Sequence, residues 1–163
     1  MERTVLIYYS LESHTHFIAQ KIGEQLSCES IRLLPLKEFS RNRFLKYFWA
    51  GKSAAFKEKP PLANKDIDLT LYDTLIIASP VWAGNISSPV RSFLSAYAIE
   101  DKNIYLIANS SGGPCEKCLS TMRGLLPKST IKGTACFVQP SEASYASFKD
   151  RLDAFCTQIQ EES

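Results

Sequence analysis

Leu6-Ile7-Tyr8-Tyr9-Ser10-Leu11-Glu12-Ser13-His14-Thr15 is the stretch on which the reading of the whole chain turns. An apolar strand over residues 3–9 runs into a short polar loop. A helical pattern follows at once, with Phe17, Ile18, Ile22 and Leu26 on one face to about residue 26. In a parallel α/β sheet this is the end of the first strand, where the chain turns into its first helix. A helix N-terminus at that place offers free backbone N–H groups and the positive end of the helix dipole, a good seat for a phosphate. Ser10, Ser13 and Thr15 add hydroxyl donors, and no Lys or Arg interrupts them. The stretch therefore asks for a phosphate-bearing ligand.

Outward from this stretch, the strands recur. Residues 28–34 read as a second strand closed by Pro35, residues 72–79 as a third closed by Pro80, residues 103–108 as a fourth and residues 130–138 as a fifth. Helical patterns stand between them. Ser88-Pro89 opens one, with Ser88 as N-cap and Pro89 at the first helical position. Residues 115–126 and 141–160 carry two more. Residues 37–69 are the least regular: two helical stretches separated by Gly51, with a dense aromatic cluster of Phe44, Leu45, Tyr47, Phe48 and Trp49. Those aromatics are read as core or dimer contacts rather than as a cofactor box. Exposed, they would mark an interface.

Strands alternating with helices, with no repeat and no linker, predict one α/β domain over residues 1–163. It would be a doubly wound five-stranded parallel sheet. A chain of 163 residues, 45% hydrophobic and 22% charged, has the balance of an ordinary globular protein. Its net charge of +2 is too mild to imply nucleic acid as a partner. No apolar run reaches the ~18 residues of a membrane span, so no membrane partner is expected, and the opening residues read as a strand and not a leader. Five cysteines, an odd number, argue against a disulfide framework and for a reduced, cytoplasmic protein.

Ligands of such sheets bind outside the C-terminal strand ends, where the strand order reverses. Three polar loops fall there: Ser10 to Thr15, Ser79 to Ser88, and Asn109 to Pro114. In a sheet ordered 2-1-3-4-5 they follow the three adjacent central strands, so they converge. Several phosphate-binding families drop out. The chain has neither G-x-x-x-x-G-K-[ST] nor G-x-G-x-x-G. A receiver domain would carry paired acids where Tyr9 and Ser10 stand. A Cys-x5-Arg phosphatase would need an Arg where Gly124 follows Cys118, or where Thr121 follows Cys115.

The pattern Leu6-Ile7-Tyr8-Tyr9-Ser10-x-x-Ser13-x-Thr15-x-x-x-Ala19-x-x-Ile22 resembles the FMN-binding signature of the flavodoxin family. Ser13 stands where that family usually has Gly, and Glu12 where it commonly has a hydroxyl residue. The resemblance implies a flavodoxin-like fold and FMN as cofactor, with Ser10, Glu12, Ser13, His14 and Thr15 about the phosphate. Glu12 would serve by its backbone N–H with its carboxylate turned away, and His16 would be an exposed first-turn residue. The stretch Pro80-Val81-Trp82-Ala83-Gly84-Asn85 resembles the flavin-contacting loop of flavodoxins and flavodoxin-like quinone reductases. Trp82 offers a π face to a flavin ring there. Asn109, Ser110, Ser111, Gly112 and Gly113 would close the far side, the glycines allowing close backbone approach.

The resemblance further implies a flavin redox protein in which no side chain need be catalytic and no metal is required. Flavodoxins that shuttle electrons between basic partners are strongly acidic. This slightly basic chain, with Arg41, Arg43, Lys46, Lys52, Lys57 and Lys59 in one segment, points instead to NAD(P)H- or quinone-linked turnover or to an acidic redox partner protein. A homodimer is possible through the aromatic segment. Two other classes compete: a binding module of the same fold without the cofactor, and a thiol-redox protein using the Cys115-x-x-Cys118 pair at a helix start.

Overall fold

Alternation of apolar residues along each central strand sends side chains to both faces of one sheet, so two helical layers are needed to cover it. The computed structural model, which describes residues 2–163, has that architecture. Met1, the first residue of the expected domain and of the stretch read as strand rather than leader, lies outside the described residues. The elements run β1 (Thr4–Tyr8), α1 (His14–Leu26), β2 (Glu29–Arg32), α2 (Arg43–Ala55), β3 (Thr74–Trp82), β4 (Asn85–Ile86), α3 (Ser88–Ala96), β5 (Asn103–Ser110), α4 (Glu116–Gly124), β6 (Thr130–Val138) and α5 (Tyr145–Glu161). The path across the sheet is β2-β1-β3-β5-β6, all parallel, with β4 paired antiparallel to β3. Leaving the two-residue β4 aside, this is the expected order 2-1-3-4-5. The order reverses between β1 and β3.

On one face Leu6, Tyr8, Ile76, Ala78, Tyr105 and Ile107 pack beneath α1 and α5. On the other Val5, Ile7, Leu75, Ile77, Ile104 and Leu106 pack beneath α2, α3 and α4. Central-strand residues such as Leu6, Ile7, Ile76 and Ile77 have no exposed surface, and burying each contributes roughly 1.5–3 kcal/mol.

Four expectations fail in instructive ways. Pro80 does not end β3, which runs on to Trp82. The pairing with β1 stops at Ala78, so Pro80 has only β5 beside it, opposite Asn109, and its missing N–H costs nothing on the open side. The chain then reverses through Ala83 (φ 48°) and Gly84 (φ 74°), a two-residue hairpin with φ > 0 at both central positions. Ser87, not Ser88, is the N-cap of α3. Gly51 does not divide the middle segment: α2 is one helix, capped by the Asn42 side chain on the N–H groups of Phe44 and Leu45.

The aromatics of α2 are not core. The buried stripe of this helix is Ala50, Ser53 and Ala54, small residues that let it lie close on the sheet. Phe44, Leu45, Tyr47, Phe48 and Trp49 are exposed instead.

Cysteine chemistry also departs from the expectation of a fully reduced chain. Cys115 is bonded to Cys136, 21 residues away, and not to Cys118. The register explains it. Ala108 on β5 pairs with Cys136 on β6, and the Cys115 sulfur lies 3.7 Å from the Ala108 carbonyl oxygen. Cys118 is free and fully buried, and burial pushes its thiol pKa up to about 12.

Candidate functional site

The three loops meet as their positions after β1, β3 and β5 require. With one side of α2 they wall a cleft of about 680 Å³ of empty space, part of it open to solvent. From the first loop it is lined by Ser10, Leu11, Glu12, His14 and Thr15; from the second by Pro80, Val81, Trp82 and Ala83; from the third by Asn109, Ser110 and Ser111. Ser13, Gly84, Asn85, Gly112 and Gly113, all expected at the site, do not line it. Ser13 is exposed, Gly84 sits in the turn of the hairpin, and Asn85 is buried where its return strand begins. Tyr47, Ala50 and Gly51 of α2 line the cleft without having been foreseen. Their only sequence signal was proximity to a Gly within an aromatic run.

The first loop is held from inside. The Ser10 hydroxyl donates to the Glu12 carbonyl (3.0 Å) and accepts from the His16 N–H (3.2 Å). Arg32 donates through Nη2 to the Ser10 carbonyl (2.9 Å), a brace that sequence reading missed because it comes from β2. Ser13, the N-cap, makes no side-chain cap bond. The first-turn N–H groups of His14 and Thr15 find no partner among the described residues. They are the orphan donors of a helix N-terminus, and an anion is their natural partner.

The two histidines are both tied into the fold. His14 is hydrogen-bonded through Nδ1 to the Pro140 carbonyl (2.8 Å). A carbonyl only accepts, so Nδ1 is the donor in this bond. Its part is to tie the loop to the segment after β6. His16 is half-buried rather than exposed, stacked on Tyr8 and hydrogen-bonded to the Tyr8 hydroxyl (2.6 Å). The Glu12 carboxylate points to Arg43 on α2 (4.0 Å), and burial together with this nearby carboxylate raises the pKa of the Tyr47 phenol.

Trp82 is a core residue with one margin in the cleft. It is 7% exposed, and its ring meets Tyr9 and Phe39 edge-on at 5.4 and 5.2 Å. Asn109 is the reverse case: 5% exposed, lining the cleft, with neither Nδ2 nor Oδ1 hydrogen-bonded. An unpaired buried carboxamide costs about 1–3 kcal/mol; both of its polar atoms are covered, so the side chain must turn before a ligand in the cleft can pair with them. Ser110 is spent on the loop, its hydroxyl accepting from the Gly112 N–H (3.4 Å) and its carbonyl from the Gln139 N–H (2.9 Å).

Behind the cleft, α3 buries Arg91 with Nε and Nη2 unpartnered. Burial pushes its pKa down, and the Cys118 sulfur lies within electrostatic reach. Among the described residues no group of His, Cys, Asp and Glu is arranged to hold a metal. No helix among them is long and apolar enough to cross a membrane.

No family model matches the chain. Solved structures do. A candidate flavoprotein from Bacteroides uniformis superposes with a TM-score of 0.75 at 17% identity, covering 91% of this chain and 98% of its own. A flavoprotein in complex with FMN from Lactobacillus acidophilus gives 0.68 at 20% identity, with 94% and 99% covered. Oxidised flavodoxin 1 from Bacillus cereus gives 0.60 at 10% identity, with 99% of each chain covered. At such identities the likeness is one of architecture, and with the strand order and the cleft at the switch point it establishes that this chain has the flavodoxin-like fold.

Proposed function

We propose that the chain is an FMN-binding redox protein and that the cleft is its cofactor site. The observation that carries the reading is the pairing, within one cleft, of the free N–H groups of α1 with the unpaired carboxamide of Asn109. The first set suits a phosphate dianion, and the carboxamide suits the donor-and-acceptor edge of a flavin ring. The FMN complex of the Lactobacillus acidophilus structure supports the choice of cofactor.

Bound there, the flavin would supply the one- or two-electron chemistry. The chain's own residues bind, orient and shield. His14 and Thr15 present their N–H groups to the phosphate, and Ser10 with Arg32 holds the loop in shape. Arg43 draws the Glu12 carboxylate aside, which lessens its repulsion of a phosphate. Tyr47 and the margin of Trp82 form apolar walls, and Asn109, once its covered carboxamide turns into the cleft, would engage the ring. No side chain is required as acid, base or nucleophile.

For the electron donor and acceptor, NAD(P)H with a quinone-class acceptor, or an acidic redox protein, fits the slightly basic chain better than a shuttle between basic proteins. The purified protein should be yellow, and apoprotein should quench the fluorescence of added FMN. A colourless protein that leaves FMN fluorescence unchanged would sink the reading. It would favour a cofactor-free module instead, for which the carboxylate of Glu12 at the cleft wall is the supporting observation.

A further inference from the structure

The solvent face of α2 is the anomaly of this molecule. A helix on the outside of a sheet normally turns polar residues to water. Here Phe44 (79% exposed), Phe48 (56%) and Phe56 just beyond the helix (72%) face outward, with Leu45 and Trp49 beside them. Around them stand cations. Residues 41–59 hold Arg41, Arg43, Lys46, Lys52, Lys57 and Lys59 against the single acid Glu58, a surplus of five positive charges. With +2 overall, the remainder of the chain is net negative by three. The positive charge is therefore local to the apolar face.

We propose that this face docks the protein on the headgroup region of an anionic lipid bilayer. A second copy of the chain is the poorer occupant, because an isologous contact would set two clusters of five surplus charges against each other. An acidic protein is poorer too. Protein interfaces are depleted in lysine and set their register by directed hydrogen bonds, yet four of the six cations are lysines. Of the neutral hydrogen-bonding residues of the helix segment, Asn42 caps the helix, Ser53 is buried and Tyr47 lines the cleft, which leaves the Trp49 indole N–H. A bilayer needs no register. It takes aromatic side chains at the level of the acyl boundary and lysine ammonium groups among anionic headgroups. Lys52 lies over the Trp49 ring at 4.7 Å, close enough to act at the same depth. Tyr47 and Gly51, which line the cleft, are one step round the helix from Phe44 and Phe48, so the docked face borders the cleft mouth. The expectation of no membrane partner rested on the lack of a spanning segment, which a surface contact does not need.

Nothing in this contact depends on a bound cofactor, so its test is scored on the protein itself, with or without flavin. Full-length protein is floated with phosphatidylcholine vesicles and with phosphatidylcholine–phosphatidylglycerol vesicles. Flotation is expected with the anionic vesicles at low salt and not with the neutral ones. A blue shift of tryptophan emission should accompany it and vanish in Trp49→Phe. Phe44→Ser with Phe48→Ser, and separately Lys52→Glu with Lys57→Glu, should each weaken binding by about tenfold or more while circular dichroism stays unchanged. No flotation at low salt overturns the proposal, and so does full binding by the Phe44/Phe48 variant. A concentration-dependent dimer that this variant abolishes assigns the face to a second copy and also overturns it. Tighter binding to poly-glutamate than to the anionic vesicles overturns it in favour of an acidic protein.

Discussion

Ser13 stands at φ −120°, a conformation open to any residue, although its place in the first loop is one where glycine would be expected. The loop is therefore relaxed, and Ser13→Gly should leave FMN affinity within about twofold of the parent in a fluorescence titration. Ala83 is the contrary case. At φ 48° it holds a left-handed conformation that a β-carbon disfavours, in a hairpin turn whose next residue is already Gly84. Ala83→Gly should raise stability to urea by about 0.5–1 kcal/mol, the relief of strain slightly exceeding the entropy given to the unfolded chain. A fall in stability would mean that the turn is not strained. Asn109 separates binding from folding. Its amide makes no hydrogen bond within the protein, so Asn109→Leu should leave the apoprotein as stable or more stable. FMN affinity should nonetheless fall by about tenfold or more, since one or two ligand hydrogen bonds go. Equal losses in both measurements would remove Asn109 from the site.

At the scale of elements, the bond between Cys115 and Cys136 joins the start of α4 to β6, just beyond the third loop. Closing 21 residues of chain contributes about 3 kcal/mol through the unfolded state. Cys136→Ser should lower stability by roughly 2–4 kcal/mol, and alkylation in denaturant should modify Cys28, Cys118 and Cys156 without reductant and all five cysteines with it. Five modified cysteines without reductant would show the bond to be absent in solution. α2 illustrates how packing distance selects residues. Its sheet-facing stripe is Ala50, Ser53 and Ala54, and this close approach excludes the very aromatics that periodicity had assigned to the core.

For the molecule as a whole, alkaline pH is the informative variable. Burial raises the thiols of Cys118 and Cys156 and the phenol of Tyr105 to about 12, and raises Tyr9 further. Each group is neutral when protonated and holds its proton more tightly in the folded chain than in the unfolded one. The stability this contributes is present below about pH 9 and is lost as pH rises toward 12. The urea midpoint should therefore fall between pH 8 and pH 11. A flat profile would mean that these groups are already solvated in the native state.

What the chain's sequence determined by itself was whatever depends on local periodicity. The apolar runs of the central strands and the helices between them lead to one doubly wound parallel sheet, and the resemblance of residues 6–22 to the FMN-binding signature implies its order 2-1-3-4-5. The three polar loops at the strand ends then had to converge. Tertiary structure alone decided the contacts between residues far apart in sequence. Arg32 braces Ser10, the Pro140 carbonyl accepts from His14 Nδ1, Cys136 captures Cys115 and α2 closes the side of the cleft. Each depends on register between neighbouring strands or on how closely a helix approaches the sheet. Those are set by the sum of packing over the whole core, and no local pattern of residues encodes them.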